Sequence, residues 1–469
     1  MLFTHLLTKP HPKFVLTQGK YENRKGFIEY KYFDQIRHNP IIKNIPYDDD
    51  NTIRYCEITD ISKFGDITPY SINPDNIEAG SEEHRILKKI EKGDIIRAKE
   101  GNILISSVRP YLKKFVYINR EKEQILFTKA LIMLNPKVNN KFFYYLLRID
   151  EFANQITSIS RTGKSYPTVE RRDILRFLQA PVSLFQKRHE FLNKQIAKYE
   201  NKISQKSEKK KPLQEIINQV FAEEFGFNIK SLQKQSDRTA YKKDLTNVEK
   251  SFELRNSYKF HNPAYDEIER VLRKIGYRRL KTILAADIRL GTGISTNDYD
   301  DENGEAYYIS MATIKNRIFD SEAARKVSMD FWEAKKKHFY VQKDDIIMAR
   351  SGEGTIGKAA ILAEDYNAVF CDFTMRIRVQ GYNPYFAYYY FNSDLFQGLV
   401  EREKKGLGNN TNIFPSQIKE FPIPDIDLKR QNRIVEKIKK EIDGQELINL
   451  EIEEKRKEIE KLILRTIRK

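Results

Sequence analysis

A glycine-rich segment in the second half of the chain, GEGTIGKAAI at residues 352–361, has residue types that could cradle a phosphate. Gly352 and Gly357 are separated by the interval found in a nucleotide-binding loop, and Lys358 follows. Ala359, however, replaces the hydroxyl residue that would hold magnesium, and the comparable part of the first half has no such glycines. The segment is therefore predicted to be a turn between strands that carries Arg350 and Lys358.

A second segment, NPYF at residues 383–386, approaches the (N/D)PPY loop of methyltransferases that act on exocyclic amines. One proline of that loop is missing, and the comparable segment of the first half, NKFF at residues 140–143, has no proline at all. Asn and Pro in this order are typical of the start of a helix. We therefore predict that Asn383 caps a helix whose first turn contains Pro384.

The remaining acidic, histidine and cysteine residues do not form a recognisable reactive site. Asp425, Asp427 and Lys429 have the residue types of a magnesium-dependent nuclease, but they are close together at the junction into a helix. The seven histidines show no HExxH or paired spacing, and Cys56 and Cys371 lie in no CxxC or Cys/His cluster. The sequence thus predicts a non-catalytic protein without a metal or cofactor, in a reducing intracellular compartment.

The most regular stretch of the sequence is its end, residues 428–469, which is predicted to be one long helix. Its apolar seam repeats at steps of three and four among Glu and Lys, which is typical of a two-stranded coiled coil. The seam consists of Val435, Ile438, Ile442, Gln445, Asn449, Ile452, Arg456, Ile459 and Ile463. At about 1.5 Å per residue such a helix would extend roughly 60 Å and would need a partner.

A candidate partner lies near the middle of the chain. Its apolar residues at similar steps are Phe185, Leu192, Ile196, Tyr199 and Ile203, followed by Leu213, Ile216, Ile217, Val220 and Phe221. Two interpretations remain open from the periodicity alone. The two regions pack on each other as a coiled coil, or each covers a separate globular core.

Four segments recur in the same order in both halves, which indicates an internal duplication. The pairs are residues 53–67 with 306–320, 92–101 with 343–352, 142–152 with 386–396, and 173–188 with 417–432. Because the repeat is far longer than a solenoid module, each copy is predicted to be a domain.

The fold class is predicted to be α+β, since short β-branched runs alternate with helical segments. The predicted order is a first domain at 1–182, a helical spacer at 183–226, a second domain with its linker at 227–426, and a helix at 427–469.

The charge of the chain favours a polyanionic partner. Lys and Arg number 83 against 66 Asp and Glu, a net charge of +17, with a pI near 9.4. A membrane partner is disfavoured because no apolar run approaches about 20 residues, and the first residues have no apolar core of an export signal. Solubility alone would also explain the charge.

Basic residues in or beside exposed loops, among them RTGKSYPT at 161–168 and KKGLGNNTNIFP at 404–415, are predicted to contact DNA: Arg109, Lys113, Lys114, Lys164, Arg350, Lys358, Lys404 and Lys405.

The recurring segments resemble the specificity subunit of type I restriction-modification systems. The resemblance is carried by the KDDII strand, GTIGKAAIL, FAYYYFNSDLF, IKEFPIP and LKRQNRIVEKI, all in the second half. It extends over nearly the whole chain, although the first half has LQAP in place of the PIP segment and SSVRPYLKK in place of the glycine-rich turn.

The resemblance implies two target-recognition domains that are separated and spaced by two helical regions packed as an antiparallel coiled coil. Each domain would recognise one part of a split double-stranded DNA site. The helices would dock two methyltransferase subunits and, through them, restriction and translocase subunits in the cytoplasm, and Asn449 and Arg456 would set the helix register. Two alternatives remain, a single-chain DNA modification or restriction enzyme and a coiled-coil scaffold without DNA function.

Overall fold

The structure, a computed structural model, has a mixed α/β fold. It describes residues 13–15, 28–29, 52–74, 82–136, 140–162, 167–170, 172–174, 179–181, 189–236, 259–314, 317–321, 324–352, 354–406 and 411–468. The chain divides into two compact units. The first unit comprises residues 1–209 and 448–469, and the second unit comprises residues 210–447.

The first unit contains two four-stranded sheets, with strand orders β4-β3-β8-β5 and β2-β9-β6-β7, and two short strand pairs. In the first sheet β3 and β8 are parallel, whereas all pairs of the second sheet are antiparallel. The strands are β1 (Lys13–Val15), β2 (Ile28–Glu29), β3 (Ile53–Cys56), β4 (Tyr70–Ile72), β5 (Ile95–Arg97), β6 (Ile103–Ser106), β7 (Phe115–Tyr117), β8 (Leu126–Thr128), β9 (Leu131–Pro136), β10 (Arg161–Thr162), β11 (Pro167–Thr168) and β12 (Gln179–Pro181).

The helices of the first unit are α1 (Glu82–Glu91), α2 (Asn140–Arg148), α3 (Asp150–Ser158) and α4 (His189–Ser207). Phe142, Phe143 and Leu146 of α2 are fully buried against the sheet that contains β6. All four residues of β6 are buried as well, which explains why Ile103, Leu104 and Ile105 are apolar without alternation. The core of the unit therefore lies between this sheet and the helices.

The second unit contains the sheets β14-β20-β17-β18 and β16-β15-β19. Its strands are β13 (Tyr277–Arg279), β14 (Arg289–Leu290), β15 (Ala306–Ile309), β16 (Arg325–Val327), β17 (Ile346–Ala349), β18 (Ala359–Ile361), β19 (Ala368–Phe370), β20 (Thr374–Ile377) and β21 (Pro422–Pro424). Its helices are α5 (Leu213–Phe225), α6 (Ile229–Ser236), α7 (Ala264–Ile275), α8 (Met329–Phe339), α9 (Pro384–Phe391), α10 (Asp394–Glu403) and α11 (Pro415–Ile418).

The two units share one topology, which confirms the internal duplication. Strands β2, β9, β6 and β7 have the same neighbours and the same antiparallel pairing as β14, β20, β17 and β18. Likewise β3 pairs antiparallel with β4 and parallel with β8, as β15 does with β16 and β19. The helix pair α2–α3 corresponds to α9–α10 in chain order.

One of the four sequence matches is wrong. Residues 92–101 contain β5, which pairs with β8 in the first sheet, whereas residues 343–352 contain β17, the counterpart of β6. Both segments begin with a Lys and an Asp before an Ile-Ile pair. The edge strand β5 and the central strand β17 therefore have similar local sequences, and only their pairing with other strands distinguishes them.

The last helix, α12 (Leu428–Arg468), confirms the predicted long helix. Ile434, Val435 and Ile438 belong to the core of the second unit, and Ile459 and Ile463 belong to the core of the first unit with Leu192 and Ile196 of α4. No side chain among residues 443–451 is buried.

The predicted seam of this helix is therefore interrupted. Asn449 is exposed, so its placement in a seam is wrong. Arg456 instead pairs with Asp66 at 2.6 Å and lies 4.0 Å from the centre of the Phe64 ring, both in the first domain. Phe185 lies outside the described residues.

Candidate nucleic-acid interface

Three loops of the second unit meet at one end of the sheet that contains β17. They are the β17–β18 turn, the residues between β19 and β20, and the segment that follows α10. The main chain joins them: Arg350 N–H donates to Phe373 O at 3.0 Å, and Ile413 N–H donates to Arg350 O at 2.9 Å. Arg350 is thus held between the other two loops, at the end of a fully buried strand. We call this set the second loop cluster.

The side chain of Arg350 lies beside the exposed ring of Phe414, and its main chain is bonded to that of a second exposed phenylalanine, Phe373. Arg350 Nε donates to Asp372 O at 2.8 Å, and its guanidinium carbon lies 5.9 Å from the centre of the Phe414 ring. Phe373 and Phe414 expose 46% and 41% of their surface. Exposed aromatic residues beside an arginine are enriched where proteins bind partners. The cluster can therefore offer a charged donor with apolar flanks.

The other predicted basic residues of the second unit differ in their surroundings. Lys405 is exposed, and its main chain forms two hydrogen bonds with Asn412, at 2.8 and 2.7 Å. The Lys404 side chain is only 6% exposed and pairs with Glu401 at 2.8 Å. Lys358 is partly exposed at the end of the β17–β18 turn. Lys405 is thus better placed than Lys404 to contact a phosphate.

The first unit has an equivalent set of three loops, the β6–β7 turn, the residues between β8 and β9, and the segment from β10 to β11 and beyond. Ser107 N–H donates to Ala130 O at 3.2 Å, and Val169 N–H donates to Ser107 O at 2.8 Å. We call this set the first loop cluster. The described residues of the two predicted DNA-contact loops therefore lie at the same place in the two copies of the fold.

The predicted basic residues of the first loop cluster are held by neighbouring groups. Arg109 adopts a left-handed conformation with φ +48°, and its N–H donates to Pro167 O at 2.9 Å. Lys113 Nζ pairs with Asp150 at 2.5 Å, and Lys114 Nζ donates to Ile58 O at 3.0 Å. Lys164 lies outside the described residues.

Burial changes the electrostatics of Lys114. Desolvation lowers the pKa of its ammonium group, and the nearby Asp60 carboxylate acts in the opposite direction. Lys114 is therefore a half-buried donor that is fixed to the main chain, in contrast to an exposed lysine that moves freely.

The segments that approach catalytic motifs have structural roles, as predicted. Asn383 accepts a hydrogen bond from Phe386 N–H at 3.0 Å and caps α9, which begins at Pro384. Gly352 and residues 354–357 lie in the turn between β17 and β18. Asp427 accepts from Arg430 N–H at 2.8 Å and caps α12.

The described residues contain neither a candidate metal site nor a candidate membrane-spanning helix. No group of three or more His, Cys, Asp and Glu in this part of the chain could hold a metal ion. Nor does any helix within the described ranges have the length and apolar character needed to cross a membrane.

Sequence reasoning missed Phe373 and Phe414. Phe373 follows Asp372 and Phe414 lies two residues after Asn412, which is a weak signal because most phenylalanines among the described residues are buried. Their exposure depends on how the three loops meet.

Comparison with known proteins identifies the second half of the chain. Residues 277–461 match the family model described as "Type I restriction modification DNA specificity domain". This range contains β13 to β21 and the second loop cluster. No curated protein matches the chain at a significant level.

Three solved structures align over most of the chain. A chain from a study of complex assembly and conformational transition of the type I R-M system is 14% identical, with 94% of this chain and 96% of that chain covered and a TM-score of 0.34. The HsdS subunit from Thermoanaerobacter tengcongensis is 16% identical, with 94% and 96% covered and a TM-score of 0.32. The type I S subunit from M. genitalium is 12% identical, with 93% and 90% covered and a TM-score of 0.29. Scores at this level carry no argument about this fold.

The family match defines the class of protein as one that contains a restriction-modification DNA specificity domain. The match covers residues 277–461, so it is the second half of the chain that is similar to this domain, in agreement with the sequence motifs that the second half carries.

Proposed function

We propose that each unit is a target-recognition domain and that each recognises one half of a split double-stranded DNA site. The observation that carries this proposal is the repetition of one loop cluster, at the same end of the same sheet, in both units. Two copies of one recognition surface are what a bipartite site requires. Phosphate contacts supply affinity, and contacts with base edges supply sequence preference.

The basic residues would divide between these two tasks. Lys113, Lys114, Lys358 and Lys405 suit phosphate contacts because a lysine ammonium group is a point charge. Arg109 and Arg350 suit base contacts because a guanidinium group can bind the O6 and N7 atoms of guanine in bidentate fashion. Lys164 and Lys404 remain candidates for phosphate contacts.

We further propose that α4 and α12 form the spacer and dock two methyltransferase subunits, which in turn bind the restriction and translocase subunits in a cytoplasmic complex. Within the first unit, Lys206 at the end of α4 pairs with Glu451 of α12, while Leu192 and Ile196 share an apolar cluster with Ile459 and Ile463. This order supports an antiparallel helix pair. The charged surface between the apolar positions would form the docking face.

The experiment is to purify the chain with a candidate methyltransferase subunit and to map methylated positions on genomic DNA. A split motif with a fixed gap is the expected result. A continuous motif, or methylation that does not depend on this chain, would contradict the proposal. Binding of S-adenosylmethionine by the isolated chain would favour the single-chain enzyme.

A further inference from the structure

We infer that base preference in each unit is set by the side chains at a few equivalent positions of one shared main-chain frame. This inference rests on the proposed DNA recognition and names the positions that determine specificity. In the second unit these are Arg350, Phe373 and Phe414. In the first unit they are Arg109, together with Ala130 and Glu170 at the positions of the two phenylalanines.

The frame is defined by hydrogen bonds, so the two loop clusters can be aligned residue by residue without sequence similarity. Four main-chain hydrogen bonds of one cluster have a counterpart in the other. In the first cluster these bonds are Ser106 N to Lys114 O (3.2 Å), Ser107 N to Ala130 O (3.2 Å), Arg109 N to Pro167 O (2.9 Å) and Val169 N to Ser107 O (2.8 Å). Their counterparts in the second cluster, in the same order, are Ala349 N to Lys358 O (2.9 Å), Arg350 N to Phe373 O (3.0 Å), Gly352 N to Thr411 O (3.3 Å) and Ile413 N to Arg350 O (2.9 Å).

Isolated β-bridges support the same alignment. Val108 bridges to Thr168 as Ser351 bridges to Asn412. Arg161 pairs with Thr168 in the first unit, as Lys405 pairs with Asn412 in the second. The frame therefore extends over all three loops of each cluster.

The side chains on this frame differ in size and charge. Ser107 stands where the second unit has Arg350, and exposed Ala130 stands where it has Phe373. Glu170 stands where it has Phe414, and pairs with Arg161 at 3.1 Å and Arg172 at 2.7 Å. The second cluster is thus an arginine with apolar flanks, and the first is flatter and more polar.

The arginine itself is displaced along the frame. Arg109 occupies the position of Gly352, and both residues have a positive φ, +48° and +87°. Glycine adopts this conformation without cost, whereas an arginine there is strained by about 1 kcal/mol. Retaining arginine at such a position is consistent with a role for its side chain, which lies two residues from the position of Arg350.

These differences predict different base preferences. Arg350 Nε donates to Asp372 O, which leaves the two terminal nitrogens of the guanidinium to bind a guanine. The rings of Phe373 and Phe414 suit contact with the methyl group of an adjacent thymine. The first unit has no aromatic residue at either position, so its half-site should contain a guanine recognised by Arg109 without that thymine preference.

The test is selection from a random double-stranded DNA library with the purified full-length chain and its variants. For the native chain we expect two unlike half-sites. Arg350→Ala should lower the preference for one guanine by about 5- to 100-fold, and Phe373→Ala and Phe414→Ala should each reduce an adjacent thymine preference several-fold. These three substitutions in the second unit should leave the other half-site unchanged. Arg109→Ala should change that other half-site instead.

Tyr277→Ala is the matched control, because Tyr277 is also exposed, at 41%, and lies on β13, outside both clusters. It should leave both half-sites unchanged. If the native chain selects no motif, the proposed DNA recognition fails. If it selects a split motif that none of the cluster variants changes, or if the two half-sites are identical, this inference fails while the proposed function stands.

Discussion

The second loop cluster depends on the close approach of two main chains at Gly291. A Cβ atom at this position would lie 2.2 Å from both Phe370 O and Cys371 O. Such contacts cannot be relieved by rotating a side chain, so the loop that carries Phe373 would have to move. Glycine is therefore needed here to place the exposed phenylalanine.

We predict that Gly291→Ala lowers the stability of the second unit by about 1 to 3 kcal/mol and weakens base preference in one half-site only. Denaturant unfolding, followed by the fluorescence of Trp332, would measure the stability. Trp332 is the single tryptophan of the chain and is buried in the second unit. Library selection would measure the base preference.

Gly293→Ala is the control for this substitution. Its Cβ would lie 3.9 Å from the nearest atom, an Asp372 carboxylate oxygen, so it should be tolerated. Equal effects of the two substitutions would show that the close approach at Gly291 does not position the loop.

The residues that sequence reasoning placed correctly are those whose role is local. Asn383 caps its helix because the capping bond reaches only three residues along the chain. The burial of the Lys404 side chain and the exposure of Phe373 depend on loops that are distant in sequence. No spacing or composition in the sequence could have revealed them.

At the scale of elements, the end of α12 belongs to the core of the first unit. Ile459 and Ile463 are fully buried there, whereas Leu450, two to three turns earlier, is 56% exposed. The periodic apolar residues of one helix therefore have unequal roles.

We predict that Ile459→Ala lowers the stability of the first unit by about 2 to 4 kcal/mol, because it leaves a cavity in a packed core. Leu450→Ala should change it by less than about 0.5 kcal/mol. Differential scanning calorimetry of the full chain would compare the two. Equal and small effects of the two substitutions on stability would mean that the end of α12 does not pack in the core of the first unit.

A second contact ties α5 to the start of α12 within the second unit. The Glu224 side chain is 7% exposed and is bound by Lys437 and by Arg433, the latter at 3.0 Å. Burial alone would raise the pKa of Glu224, but the hydrogen bonds from the two cations outweigh it and the pKa is lowered from its ordinary value of 4.5.

A carboxyl group whose pKa is lowered by folding contributes stability above its ordinary pKa and loses that contribution as the pH falls through the lowered value. The second unit should therefore lose stability below about pH 4.5, and Glu224→Gln should remove this part of the loss. At pH 7 the substitution should cost about 1 kcal/mol. Urea unfolding at several pH values, followed by Trp332 fluorescence, would measure both effects.

Glu436→Gln removes the same charge from an exposed position of α12 and serves as the control. Its unfolding should keep the acid dependence of the native chain. If Glu224→Gln kept it as well, the contact between α5 and α12 would not contribute to the acid sensitivity.

The elements themselves could be predicted to different degrees. The helix of residues 428–468 was evident because its charged and apolar residues repeat over eleven turns. The match of residues 92–101 with 343–352 failed because β5 and β17 share local sequence but have different strand partners. Strand pairing is a property of the whole domain, and short strands carry little information about it.

At the scale of the whole molecule, the net charge of +17 separates the DNA-recognition hypothesis from the scaffold hypothesis. A coiled-coil scaffold without DNA function is not expected to contact a defined number of DNA phosphates. A recognition protein releases counterions for each phosphate that it neutralises, so its affinity falls steeply with salt.

We predict that the logarithm of the DNA association constant falls linearly with the logarithm of salt concentration, with a slope of about −4 to −6, if roughly five to seven of the proposed basic residues contact phosphates. Lys405→Gln should make the slope less steep by about 1 unit, whereas Lys440→Gln, exposed on α12 outside the loop clusters, should not change it. Fluorescence anisotropy with a duplex that contains the selected site would measure these slopes. A slope near zero, or equal effects of the two substitutions, would favour a scaffold, because the charge of the chain would then act without a defined DNA surface.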